Sequence, residues 1–298
     1  MSNSAPITSA STGGQVSSDG LRGAQQHVSV AGVELRYVRS GTGSPVVLLH
    51  TLRTQLDYFA QVLDRLDAEP LDLIAVDHPG HGHSSAPRTD YNAAYFTDAV
   101  ARLLDRLDVR DVTIVGESIG ATIALTLASR GDEHVSRVIA VNPYDYGRGG
   151  GIRRSSPLAN TLVTGMLVPG LGALIARAET KAILRGVLRG GLHDRTALPD
   201  ALLTELRRCG SLPGHARAFC SLTRQWRSWI AARAGYEAIA VPVTLVYSDN
   251  DWSRPDERDA NARAIPGVRV VRLERCGHFA SLDQPDAVAR LITEETRR

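Results

Sequence analysis

The pentapeptide Gly116-Glu117-Ser118-Ile119-Gly120 places a hydroxyl where a nucleophile could be built. Upstream, Asp111 to Val115 (DVTIV) reads as a β-branched strand. Downstream, Ala121 to Arg130 (ATIALTLASR) reads as a helix of small residues. Ser118 thus falls at a sharp strand-to-helix corner, and the glycines two residues to either side remove the Cβ atoms that would collide there. A serine hydroxyl is too weakly acidic to attack a carbonyl at neutral pH, so it needs a base within hydrogen-bond reach and a group to orient that base. The strongest base candidate is His278, in the loop Arg275-Cys276-Gly277-His278-Phe279. The acid candidate is Asp251, with Asp249 in reserve, in Tyr247 to Pro255. Ser118 could instead be an ordinary helix N-cap. Its strand and helix context, and the ordered set Ser, Asp, His, favour nucleophilic acyl chemistry.

The elements that would carry these residues alternate along the chain. His27 to Arg39 holds two extended runs about Ala31-Gly32, as in a hairpin. Pro45 to His50 is a short apolar run of the buried-strand kind, and Gln55 to Leu66 has helical spacing. Strand Leu71 to Asp77, helix Tyr91 to Leu107, the serine unit and strand Val135 to Val141 follow. Such alternation implies a mainly parallel, doubly wound α/β sheet. After Asn142-Pro143 it stops. Residues 144–236 are Arg and Gly rich, with helical pieces Ala173 to Leu188, Leu202 to Arg208 and Ala216 to Ile230, which suggests an inserted helical cap. Strand Val241 to Tyr247, helix Pro255 to Ile265, strand Val268 to Leu273 and a helix from Pro285 resume the pattern. The expected layout is a disordered tail over 1–26, core over 27–143, cap over 144–236 and core over 237–298.

With these residues in view, the chain from His27 onward resembles an α/β-hydrolase with a cap. Gly116 to Gly120 matches the family's nucleophile elbow. Asp77-His78-Pro79-Gly80-His81-Gly82-His83-Ser84 is similar to its DxPGxGxS loop, and Gly277-His278-Phe279 to the tripeptide that carries the base. The resemblance implies an eight-stranded sheet, with Ser118, Asp251 and His278 as the catalytic triad. It also implies an oxyanion hole made by the backbone N–H groups of Ile119 and of Leu52, in the loop after the Pro45 to His50 strand. That loop departs from the usual His-Gly-x: it reads His50-Thr51-Leu52-Arg53. A β-branched Thr51 resists a Gly-only backbone conformation, and Arg53 is expected to present a charge at the pocket mouth. His50 is expected to buttress the loop. Glu117, Trp252 and Phe279 join Arg53 as expected substrate-side residues, and Trp226, Trp229 and Trp252 as lining of an apolar pocket.

The implied activity is cofactor-independent hydrolysis of a carboxylic ester or related acyl bond of a small molecule. Carbon–carbon bond hydrolysis, a cofactor-free haloperoxidase-like reaction and a non-catalytic binding role stay open on the same fold. A net charge of +2 over 298 residues gives no indication of a nucleic-acid binder. The charge is unevenly spread: between Tyr144 and Glu237, 13 Arg and one Lys face five acids. That basic cap could be a solvated surface, a site for an anionic substrate (with Arg153 and Arg154 as candidates) or a weak attachment to an anionic membrane. Ser155 to Ala176 is uncharged but broken by Asn160, Pro169 and glycines, so a spanning helix is not expected. Three cysteines in no metal spacing point to free thiols in a reducing, cytoplasmic setting. His78, His81 and His83 are explained by their loop, and no metal is expected.

Overall fold

The computed structural model describes residues 23–146, 150–168 and 170–298. Eight strands form one sheet in the order β1-β2-β4-β3-β5-β6-β7-β8. The strands β1 (Gln25–Val30) and β2 (Val33–Ser40) form the antiparallel hairpin about Ala31-Gly32, and β2 also pairs antiparallel with β4 (Leu71–Val76). The rest are parallel: β3 (Ser44–Leu49), β4, β5 (Val112–Glu117), β6 (Val135–Val141), β7 (Val243–Asn250) and β8 (Arg269–Gly277). Gln25 and Gln26 pair with Val38 and Tyr37, so the first strand begins inside the stretch expected to be a tail; residues 1–22 lie outside the described residues.

Burial follows strand position. Val46 to Leu49 on β3 are completely covered, as a parallel strand with helices on both faces requires, whereas β8 at the edge alternates between half-buried and exposed positions before its buried end. The helices α1 (Ala60–Leu66), α2 (Ala93–Leu107) and α3 (Ile119–Ser129) follow β3, β4 and β5. Nearly every residue of α3 is buried, which explains its small, uniformly apolar composition: it lies against the sheet on one side and against other helices on the rest. The chain closes with α10 (Pro255–Ala264), the short α11 (Ala280–Asp283) and α12 (Pro285–Thr296).

Between β6 and β7 the described residues form only helices: α4 (Pro157–Met166), α5 (Gly172–Arg177), α6 (Lys181–Arg189), α7 (Asp200–Gly210), α8 (His215–Arg224) and α9 (Trp226–Ala231), with short 3-10 pieces at either end. Two of the long helices expected here are each broken in two. Thr180 turns to an extended backbone and caps a new helix by accepting from Ile183 N, and Gln225 leaves helical geometry between α8 and α9. Helix α4 was not expected; Ser156 caps it and Pro157 opens it, a start signal hidden inside the uncharged run. No helix among the described residues is long and apolar enough to cross a membrane.

Candidate active site

The corner at Ser118 is as tight as its glycines suggest. A Cβ on Gly116 would lie 2.2 Å from Gly120 O, and one on Gly120 would lie 2.1 Å from Leu49 O on the neighbouring strand. Only glycine lets β5, α3 and β3 approach so closely. Ser118 itself adopts φ 59° and ψ −114°, a strained conformation for a non-glycine residue, stabilised by Ser118 N donating to Val141 O at 2.9 Å.

The loops after β5, β7 and β8 meet above one edge of the sheet, where parallel strands present their C-terminal ends. There His278 Nε2 lies 2.9 Å from Ser118 Oγ, and His278 Nδ1 lies 2.5 Å from Asp251 Oδ1. The imidazole therefore carries its proton on Nδ1, donates it to the carboxylate and offers Nε2 to the hydroxyl. The side chains of Asp251 and His278 are fully shielded from solvent. Burial alone would raise the Asp251 carboxyl. The neighbouring His278, its hydrogen bond and those from Ser253 N (2.9 Å) and Ser253 Oγ outweigh that and hold it below the usual carboxylate range. Asp249, the reserve acid, is exposed on β7.

Trp252 lies flat on His278, with ring centroids 3.8 Å apart and planes 14° apart, and Phe279 packs edge-on against both rings. On the other side Tyr146 Oη stands 3.4 Å from His278 Nδ1. Asn142, at φ 47°, donates to Ser248 Oγ and to the carbonyl of His278 (3.0 Å), fixing the base loop from β6. Tyr146, Asn142 and Ser253 escaped the sequence reading; Asn142-Pro143 directly after a strand was the available signal.

Two expected substrate-side residues have other partners. Glu117 is buried and accepts from Tyr58 Oη (2.5 Å), Ala280 N (2.7 Å), Ser281 N (3.3 Å) and Ser281 Oγ (2.7 Å). It ties the strand carrying Ser118 to the loop carrying His278 instead of facing a ligand, and burial raises its carboxyl despite these donors. Arg53 does not present a free charge: its guanidinium pairs with Glu179 and lies 5.6 Å over the Phe219 ring. The strained position of this loop also falls at Arg53 (φ 64°) and not at Thr51.

His50, buried, organises the turn before Arg53. Its Nδ1 donates to Thr51 O at 2.8 Å and its Nε2 accepts from His78 N at 3.0 Å. Thr54 N and Oγ1 donate to the same Thr51 carbonyl. In a trans peptide the C=O and the following N–H point in opposite directions, so pinning Thr51 O also aims the N–H of Leu52. Desolvation holds His50 and His78 well below the ordinary histidine range and brings His81 down to about 3; all three sit neutral in one cluster of tilted and edge-on rings. His83 stands apart. With Glu205 and Cys209 it forms a group near enough to hold a metal ion, but Arg208 Nη2 lies 2.6 Å from His83 Nε2 and 2.5 Å from Glu205 Oε1, putting a positive charge among the donors.

The mostly parallel sheet agrees with the family model of the α/β hydrolase fold, which matches residues 44–285. This chain belongs to the α/β-hydrolase family. Among curated proteins, it is 26% identical over 278 residues to the 2-hydroxymuconate semialdehyde hydrolase of Pseudomonas sp. (strain CF600), covering 90% of this chain and 92% of that one. It is 28% identical over 279 residues to an uncharacterized protein of Mycobacterium tuberculosis, covering 87% and 77% respectively. Among solved structures, Cfl2 of Burkholderia cenocepacia superimposes with a TM-score of 0.80 at 24% identity, covering 92% of this chain and 95% of that one. The enol-lactonase of Burkholderia xenovorans LB400 does so with a TM-score of 0.73 at 23% identity, covering 92% and 100%. The α/β hydrolase fold thus spans both core segments and the helices between them.

Proposed function

We propose that this α/β hydrolase cleaves a carboxylic ester or related acyl bond of a small molecule through an acyl-enzyme on Ser118, without a cofactor. The observation that carries the proposal is the buried relay Asp251–His278–Ser118, with separations of 2.5 and 2.9 Å. Ser118 Oγ attacks the carbonyl carbon while His278 Nε2 takes its proton; Asp251 stabilises the cation that forms, and His278 returns the proton to the leaving alkoxide. Water then repeats the sequence on the acyl-enzyme. The N–H of Ile119, in the first turn of α3 where helical N–H groups lack partners, and the N–H of Leu52, aimed by the pinned Thr51 carbonyl, receive the oxyanion. A serine also sets the bond type. Attack at a saturated carbon would leave an alkyl ether that this machinery has no means to hydrolyse, whereas attack at an acyl carbon leaves an ester that it can.

The similarity to 2-hydroxymuconate semialdehyde hydrolase, and to the 2-hydroxy-6-oxo-2,4-heptadienoate hydrolase of Pseudomonas putida at 24% identity over 277 residues, supports a second reading: cleavage of a carbon–carbon bond beside a ketone by the same residues. The three buried cysteines, all free thiols, support a reducing, cytoplasmic location. A fluorophosphonate probe tests the nucleophile: wild type should label and Ser118→Ala should not. No labelling of wild type would overturn the serine mechanism. A chain-length series of p-nitrophenyl esters then separates the readings. Turnover of at least one ester is expected, and labelling without turnover of any would move the assignment to carbon–carbon cleavage.

A further inference from the structure

The segment between β6 and β7 lines a partly open cavity of about 210 Å³. At ~30 Å³ per water this is room for about seven waters, or a group of similar heavy-atom count. Ser118 and His278 do not line it, but two residues that do reach them: Tyr144 N donates to Ser118 O at 3.1 Å and Tyr146 Oη is 3.4 Å from His278 Nδ1. The walls are Val163 and the rings of Tyr144, Tyr146, Trp226 and Trp229.

One charged group interrupts this largely aromatic lining. Arg153 is the charged residue of the described lining, and no acidic residue lines the cavity with it. Its described partner is the neutral Asn160, to which Nε donates at 2.9 Å. Neighbouring arginines differ. Arg154 makes two bonds to Glu257 and one to the Trp252 carbonyl, Arg53 pairs with Glu179, and Arg185 pairs with Asp200. Of the two arginines singled out in the sequence, only Arg153 keeps its charge uncompensated beside the cavity.

We propose that the cavity selects an amphipathic acid: an ester whose apolar or aromatic body fills the cavity, whose scissile carbonyl lies at Ser118, and whose remote carboxylate meets Arg153. The proposal rests on the serine-hydrolase reading for the bond cleaved, but its recognition half can be read without turnover. The full chain carrying Ser118→Ala is titrated calorimetrically with phenylalkanoates from phenylacetate to 6-phenylhexanoate and with the matching phenylalkanols. At least one acid should bind about tenfold tighter than its alcohol, as expected for one charge-assisted hydrogen bond. Adding Arg153→Gln should remove that preference and leave the alcohol's affinity unchanged, while Arg153→Lys should retain part of it. An acid series that binds no better than the alcohols, or equal losses for acid and alcohol on Arg153→Gln, would overturn the proposal. Because this protein does not turn over, that failure is distinct from failure of the ester reading, which the labelling and p-nitrophenyl series decide separately.

Discussion

Replacement of Glu117 probes how the two halves of the site are held together. Its carboxylate takes four hydrogen bonds, from Tyr58 Oη, Ala280 N, Ser281 N and Ser281 Oγ. In Glu117→Ala these donors lose their acceptor inside the core. Tyr58 Oη and the two donors of Ser281 are buried with Ala280 N, and each stranded group costs about 1–3 kcal/mol. Opposing this is release of a carboxylate that burial already disfavours, as its raised pKa records. A net loss of about 4 kcal/mol follows, a large share of the ~5–15 kcal/mol that stabilises a typical domain. Glu117→Gln is gentler: with the amide at the Oε2 position the Ser281 hydroxyl can rotate to accept from it while Tyr58 Oη and Ala280 N keep the remaining oxygen, so about 1–2 kcal/mol is lost, mainly at Ser281 N. Since Ala280 and Ser281 directly follow the His278-Phe279 loop, Glu117→Ala should also lower kcat at least tenfold, because small displacements of a catalytic group are costly. Urea unfolding followed by circular dichroism gives the stability, and p-nitrophenyl acetate hydrolysis by the folded fraction gives kcat. An alanine variant that loses under 1 kcal/mol and keeps its kcat would refute the tether.

Asp251→Asn should lower kcat by roughly 10³–10⁴ by favouring the wrong His278 tautomer, while Asp249→Asn stays within twofold; comparable losses from the two would contradict the assignment. Gly120→Ala drives a methyl to 2.1 Å from Leu49 O and should cost more than about 3 kcal/mol. Gly186→Ala, whose Cβ meets only Leu158 Cδ2 at 3.4 Å in helix α6, should be neutral or stabilising by up to about 1 kcal/mol. Thermal melts compare the two, and equal shifts would discount the close approach. Acidification tests the His50, His78 and His81 cluster. Their folded pKa values are depressed, so the unfolded chain binds protons near pH 6.5 that the fold refuses, and stability present above that pH falls as the pH drops towards the folded values. Between pH 6.5 and 5.5 the slope approaches about 4 kcal/mol per pH unit at most, reduced by the buried carboxyls of Asp77, Glu117 and Asp145, which shift the other way. Stability that rises on acidification from pH 6.5 would refute the neutral cluster.

Much of the arrangement is legible in the sequence because it depends on local backbone constraints. A glycine pair spaced around a serine, between a strand and a helix, announces a close approach wherever it occurs, and short apolar runs separated by helical spacing announce a parallel sheet. The juxtaposition of Ser118, His278 and Asp251 follows from three strand ends on one sheet edge. What was not legible depends on pairing at a distance. Nothing near Glu117 says that Tyr58 and Ser281 converge on it, and nothing near Arg53 announces Glu179, 126 residues away. Arg153 and Arg154 look equivalent in sequence, and only the bidentate bond to Glu257 separates them. The breaks at Thr180 and Gln225 were hidden because apolar spacing continues across both.

The hydrogen bonds between Asn142 and Ser248 have a wider consequence. Asn142 Nδ2 donates to Ser248 Oγ and Ser248 N donates to Asn142 Oδ1, both at 2.9 Å, so the first residue after β6 is fastened to β7, the strand to which the chain returns. About a hundred residues leave the sheet at this clasp and come back without disturbing the strand pairing on either side. On the proposed function, reaction and selectivity are thereby written on separate lengths of one chain. Substitutions among the intervening helices can be tried, kept or discarded while the strand ends that hold the serine, the acid and the base stay as they are.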